Sequence, residues 1–178
     1  MDKVLKEHFD SFLDRKQLPP PLKALKEVQL FDDQELLKIW RSNLKGIQWA
    51  DKKGNILRGA VDNILQKGSK LIVLDYKTRG FPLKEDTAEK YQDQLDIYNL
   101  LLRKNGYETE DYAYLMFYYP NKVHDNGDVD FHAELITMKI SVKNAEKVFK
   151  DALKVLEGEM PPPSEECGFC KWCEECKQ

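Results

Sequence analysis

The first 166 residues of this 178-residue chain contain no cysteine; all four fall between Cys167 and Cys176. A disulfide framework for the body of the protein is thereby excluded, and the terminal cluster reads as metal-binding. No apolar run approaches the ~20 residues needed to cross a bilayer. The opening residues Met1-Asp2-Lys3 carry no apolar signal core, and a reducing, cytoplasmic setting is expected. Positive charge is not in excess either: the net charge is −3. Any attraction to nucleic acid must come from local basic clusters and bound metal. Internal repeats and low-complexity segments are absent. What remains, 42% hydrophobic and 33% charged residues, describes a globular chain long enough to bury a core.

Helical spacing of Val4, Leu5, His8, Phe9, Phe12 and Leu13 predicts an amphipathic helix over 2–16, ended by Pro19-Pro20-Pro21. A second helix is expected over about 32–43, then a strand at Ile47–Ala50 with a turn at Lys53-Gly54-Asn55. Arg58–Leu65 reads as one strand, and the Lys67-Gly68-Ser69 turn joins it to a second over Leu71–Thr78. Asp86-Thr87-Ala88-Glu89 resembles a capping box opening a helix that Gly106 stops. Tyr112–Tyr119 and Phe131–Ile140 form a strand pair around Asn126-Gly127, and a final helix covers about 142–156. The order predicts an α/β fold with a central mixed β-sheet flanked by helices. The expected division is a domain over 1–160 and a cysteine-rich tail over 161–178.

The residues richest in chemistry lie on the hairpin. Side chains repeat every two residues on a strand, so Asp75 and Lys77 face the same side. Asp62, in a Gly59-Ala60-Val61-Asp62 segment, lies across the hairpin within reach of Asp75. Two carboxylates can hold Mg²⁺ or Mn²⁺ through hard oxygen ligands, and a lysine beside them can position a water or neutralise developing charge. The plainer alternative makes these residues a solvated ion pair. Against it, Leu71–Leu74 is continuously apolar, and an acid closing such a buried strand marks a site.

On the helix after Asp86, Gln94 interrupts the stripe Tyr91, Leu95, Tyr98, Leu101 and Leu102. An amide there needs a partner, so Gln94 and Tyr98 are either a satisfied core pair or residues reaching over the sheet edge toward Asp62, Asp75 and Lys77. His8 poses the same choice between a hydrogen-bonded core histidine and a metal ligand.

Three segments in order, Gly59-Ala60-Val61-Asp62, Leu74-Asp75-Tyr76-Lys77-Thr78 and Gln94-Leu95-Asp96-Ile97-Tyr98, resemble the RecB-like branch of the PD-(D/E)XK nuclease superfamily. The resemblance implies a restriction-endonuclease-like core and a metal-dependent DNA nuclease. By that match Asp62, Asp75 and Lys77 are catalytic, and His8, Asp62, Asp75 and the Tyr76 backbone carbonyl hold Mg²⁺ or Mn²⁺. Gln94 and Tyr98 then bind DNA or brace the site. It further implies exonuclease or end processing in DNA repair, with single-stranded DNA or duplex ends as partner, within a helicase, recombination or CRISPR-type complex. A non-catalytic nucleic-acid-binding or scaffold module of the same fold is the alternative, and a zinc-tailed interaction protein is a third.

Cys167, Cys170, Cys173 and Cys176 form Cys-x-x-Cys-x-x-Cys-x-x-Cys. Four thiolates suit either a [4Fe–4S] cluster or tetrahedral Zn²⁺. A straight helix cannot gather them, because steps of three residues drift by about 60°; the tail is therefore expected to loop round its metal. In RecB-like nucleases with a cluster, three cysteines spaced Cys-x-x-Cys-x5-Cys follow the core, and Cys167, Cys170 and Cys176 resemble them. There the fourth ligand precedes the core, where this sequence has none; Cys173 or an earlier segment is left to supply it.

Overall fold

The hairpin that carries the candidate acids is the middle of the molecule. In the computed structural model, which describes residues 2–176, β4 (Asn63–Lys67) and β5 (Lys70–Thr78) pair antiparallel from Asn63↔Leu74 to Lys67↔Lys70. Gly68 closes the turn with φ +58°, a conformation open to glycine at little cost. Five strands form the main sheet in the order β1-β4-β5-β6-β7, adding β1 (Gln29–Leu30), β6 (Tyr112–Val123) and β7 (Val129–Lys139). Only β5 and β6 run parallel. Their crossover contains the helix α3 (Gln92–Lys104), as a parallel pair requires. The mixed sheet and flanking helices are those of a restriction-endonuclease-like core.

Alternation along the two central strands builds two layers. Leu71 and Val73 of β5 and Ala113, Leu115 and Phe117 of β6 pack with Leu95, Tyr98, Leu101 and Leu102 of α3. The intervening Ile72, Leu74, Tyr114 and Met116 pack on the other face with Leu5, Phe9 and Leu13 of α1 (Asp2–Asp14). Leu71–Leu74 is therefore buried on both faces. By the same alternation Asp75 and Lys77 belong to the α3 face and Tyr76 to the α1 face.

Four sequence expectations are corrected here. The single strand over 58–65 is two strands in different sheets. β3 (Ile56–Gly59) pairs with β2 (Ile47–Ala50) as a separate ribbon, whereas β4 joins the main sheet. Between them the Val61 N–H donates to the Trp40 carbonyl of α2 (Gln34–Trp40) at 3.2 Å, so the ladder partner changes across Ala60–Asp62. The capping box does not form. Thr87 Oγ1 accepts from Lys84 N–H, Asp86 pairs with Lys90 at 3.2 Å, and a 3-10 turn over Ala88–Tyr91 precedes α3. On α1 the buried positions are Leu5, Phe9 and Leu13; Val4 and His8 are exposed. Finally, the cysteine tail is helical, with α5 running from Gly168 to Glu175.

Two compact units are distinguished, residues 1–146 and 147–178, the division falling inside α4 (Val142–Glu157). No helix of the described residues is long and apolar enough to cross a membrane.

Candidate active site

The break before β4 is what frees Asp62 to act. Standing in a bend one residue ahead of Asn63, its carboxylate is not committed to either face of the sheet. Asp62 Oδ2 accepts the Tyr76 N–H of β5 at 2.9 Å, and Oδ1 lies 3.0 Å from Lys6 Nζ of α1. The Asp62 carbonyl accepts from Arg41 Nε at 2.7 Å, while Arg41 Nη1 donates to both carboxylate oxygens of Asp10. Main chain and side chain of Asp62 are thus each held by a different element.

Asp75 is 2% exposed. Burial pushes its carboxyl up to about 6, the Asp62 charge adding to the rise and the Lys77 ammonium opposing it. Lys77 Nζ stands 2.5 Å from Asp75 Oδ2. That contact is one of charge rather than an aligned hydrogen bond, and the buried Oδ2 has no other donor. Two carboxylates brought face to face, one of them buried, are a donor set that fits a hard divalent cation. Asp62 and Asp75 are the residues that could hold it.

Lys77 is fixed from the helix side. Its ammonium donates to Gln94 Oε1 at 2.8 Å and lies 4.5 Å from the Tyr91 ring centroid. Gln94 Nε2 in turn donates to Tyr98 OH at 2.9 Å. Burial raises the Tyr98 phenol to about 12, with the Asp75 charge contributing, so it stays protonated. The amide that interrupts the apolar stripe is therefore satisfied by the site residues themselves. Gly59 belongs to the same arrangement. A Cβ there would come within 2.7 Å of Tyr98 Cε1, so the ring lies where a side chain would otherwise stand.

The structure brings Asp62, Asp75, Lys77, Gln94 and Tyr98 together and leaves His8 outside. At 100° per residue, His8 lies about 200° round α1 from both Lys6 and Asp10, which face Asp62 and Arg41. It is exposed and makes edge contacts with Phe9 and Phe12. Tyr76 meets the site through its N–H, which donates to Asp62 Oδ2. Its ring packs on Phe9, and its hydroxyl accepts from Asn63 Nδ2 at 2.7 Å.

Sequence reasoning missed Lys6, Asp10 and Arg41. Lys6 and Asp10 are one helical turn apart beside the Leu5, Phe9, Leu13 stripe, an ordinary border position with nothing local to mark it. It also missed Asp96 on the far side of α3, fully buried. Its oxygens accept from Gln92 Nε2, Ser141 N–H and Asn144 Nδ2 at 2.8 Å each, tying α3 to the start of α4. The cue available was an acid inside a helix between Leu95 and Tyr98, which reads equally as a solvated position.

The four cysteines are not gathered round one point in this structure. Helical hydrogen bonds run from Lys171 N–H to the Cys167 carbonyl and from Cys176 N–H to the Trp172 carbonyl. Steps of three residues then fan the thiols round the helix instead of converging them. Among the described residues no three His, Cys, Asp or Glu side chains are gathered as a metal site. None of the cysteines is in a disulfide, and the Cys167 thiol is lowered chiefly by hydrogen bonds from Cys170 and the Phe169 backbone.

The mixed sheet thus presents two acids and a lysine near the open end of its central hairpin. The family model of the PD-(D/E)XK nuclease superfamily matches residues 2–177, and the chain belongs to that superfamily. No curated protein matches the sequence.

Proposed function

We propose that this protein is a Mg²⁺- or Mn²⁺-dependent deoxyribonuclease of the RecB-like branch, processing DNA ends or single strands. The observation that carries the reading is the chain of contacts from Asp75 through Lys77 and Gln94 to Tyr98. One hydrogen bond of 2.8 Å joins the acid-bearing strand to α3, and a second of 2.9 Å within α3 fixes the Gln94 amide. A solvated surface ion pair has no need of such bracing.

In this reading Asp62 and Asp75 hold the cation, with the Tyr76 carbonyl as a further oxygen ligand. The bound ion supplies Lewis-acid charge and an acidified water. Lys77 keeps a positive charge beside Asp75, where it can orient that water or offset charge growing on the phosphate. Gln94 sets the position of the Lys77 ammonium, and Tyr98 fixes the Gln94 amide. The Tyr76 N–H and Arg41 orient Asp62. No step is routed through the cysteine tail.

Incubating the protein with end-labelled linear DNA and with circular single-stranded DNA tests the proposal. Cleavage of the linear substrate with Mg²⁺ or Mn²⁺, lost with EDTA, is expected. Metal-independent DNA binding without cleavage of any substrate would instead support the non-catalytic module.

A further inference from the structure

We propose that Lys6 is the resident counterion of the metal site: its ammonium holds Asp62 Oδ1 until a divalent ion takes that oxygen. The inference rests on the metal-site reading above.

The pair is not a loose surface contact. Lys6 Nζ lies 3.0 Å from Oδ1, with the side chains 23% and 17% exposed. The other oxygen, Oδ2, already accepts the Tyr76 N–H. Each Asp62 oxygen therefore has a donor, while on the buried Asp75 the Lys77 ammonium stands beside Oδ2. A cation entering between the two acids meets Lys77, which α3 holds in place, on Asp75 and Lys6 on Asp62 Oδ1. An ammonium and a divalent ion on one carboxylate oxygen repel strongly where water is partly excluded, so both cannot stay.

Local charge explains why such a counterion is needed. Asp62, Asp10 and Asp75 are paired with Lys6, Arg41 and Lys77, so each of these carboxylates has a cation beside it before metal arrives. Arg41 is tied to Asp10 and the Asp62 carbonyl, and Lys77 to Asp75 and Gln94. Lys6 is the cation placed directly on the Asp62 carboxylate, on a long flexible stem that can swing away. With it released, the divalent charge leaves the site net positive, suited to a phosphodiester. Metal affinity is then lowered by the fraction of molecules in which Lys6 occupies Oδ1.

Calorimetric titration with Mn²⁺, without DNA, tests this on the parent, Lys6→Met, Lys6→Arg and Asp75→Asn. Lys6→Met should bind Mn²⁺ about three- to tenfold more tightly, the range of a partly buried ion pair. Lys6→Arg, which keeps a cation on Asp62, should bind no more tightly than the parent. In the parent itself, acylation of Lys6 by an amine-reactive ester, read by mass spectrometry, should rise severalfold once Mn²⁺ saturates the site. This second measurement decides the matter if Lys6→Met does not fold. Unchanged or weaker Mn²⁺ binding by folded Lys6→Met, or Lys6 labelling indifferent to Mn²⁺, overturns the inference. No Mn²⁺ binding by the parent, or equal binding by Asp75→Asn, overturns the metal-site reading and the inference with it.

Discussion

Lys77 and Gln94 are joined by a 2.8 Å hydrogen bond between the strand that carries the acids and the helix that covers them. Because Gln94 also donates to Tyr98, the amide converts a mobile lysine into a positioned one. Gln94→Ala removes both bonds. A decrease in kcat of about 10- to 100-fold is expected, the size of a small misplacement of a catalytic group. The loss in stability should be only about 1 kcal/mol. Steady-state cleavage rates and a thermal melt separate the two, and an unchanged kcat would deny Gln94 its positioning role.

Gly59 and Tyr98 are coupled by space alone. A methyl group at residue 59 meets the Tyr98 ring at 2.7 Å and Leu101 Cδ1 at 3.0 Å. Gly59→Ala should therefore cost about 1–3 kcal/mol by overpacking. In a Tyr98→Ala background the cost should shrink, since the ring that clashes is gone. Urea midpoints of the four proteins in this cycle measure the coupling. Strictly additive losses would show that the close approach is not what excludes a side chain.

The raised carboxyl of Asp75 makes a pH prediction for the metal-free protein. Its ordinary value is 3.8, and burial lifts it to about 6 in the folded state. The folded carboxyl holds its proton more tightly than the unfolded one. Its contribution is full below about 3.8 and disappears as pH rises through about 6. In EDTA, stability should fall by about 2–3 kcal/mol over that interval from this group. Asp75→Asn should flatten the fall. Urea unfolding at pH 4.5 and pH 7.5 provides the comparison, and the same pH dependence in both proteins would contradict it.

In the tail, Cys167 is the thiol made acidic by its hydrogen bonds at the start of α5. Iodoacetamide near neutral pH should alkylate it ahead of Cys173 and Cys176, because the thiolate is the reacting form. Peptide mass spectrometry over a time course reads the order. Protection of all four cysteines until a chelator is added would return the tail to a metal centre.

Much of the site was legible because its determinants are local. The period of two along β5 places Asp75 with Lys77, and the short turn at Gly68 fixes Asp62 opposite. The period of the helix places Gln94 above Tyr98. The contributions of Lys6 and Arg41 were not legible, since they reach Asp62 from helices elsewhere in the chain and no periodicity encodes that pairing. The break at Ala60–Asp62 was hidden for a similar reason. No glycine or proline marks Ala60–Asp62, and only the change of partner, from β2 to β5, ends one sheet and begins another. His8 shows the opposite failure. Helical spacing placed it on an apolar stripe, but packing centres that stripe on Leu5, Phe9 and Leu13 and leaves His8 on the outside.

The most direct test of the central claim compares the parent with Lys77→Ala in Mg²⁺- or Mn²⁺-dependent cleavage of end-labelled DNA, with folding of both checked by circular dichroism. Lys77→Ala removes no apolar core side chain but leaves the buried Asp75 without its ammonium, so the variant should fold with reduced stability. The account predicts cleavage by the parent, none in EDTA, and a loss of at least about 100-fold in Lys77→Ala. Cleavage by folded Lys77→Ala at the parent rate would contradict it.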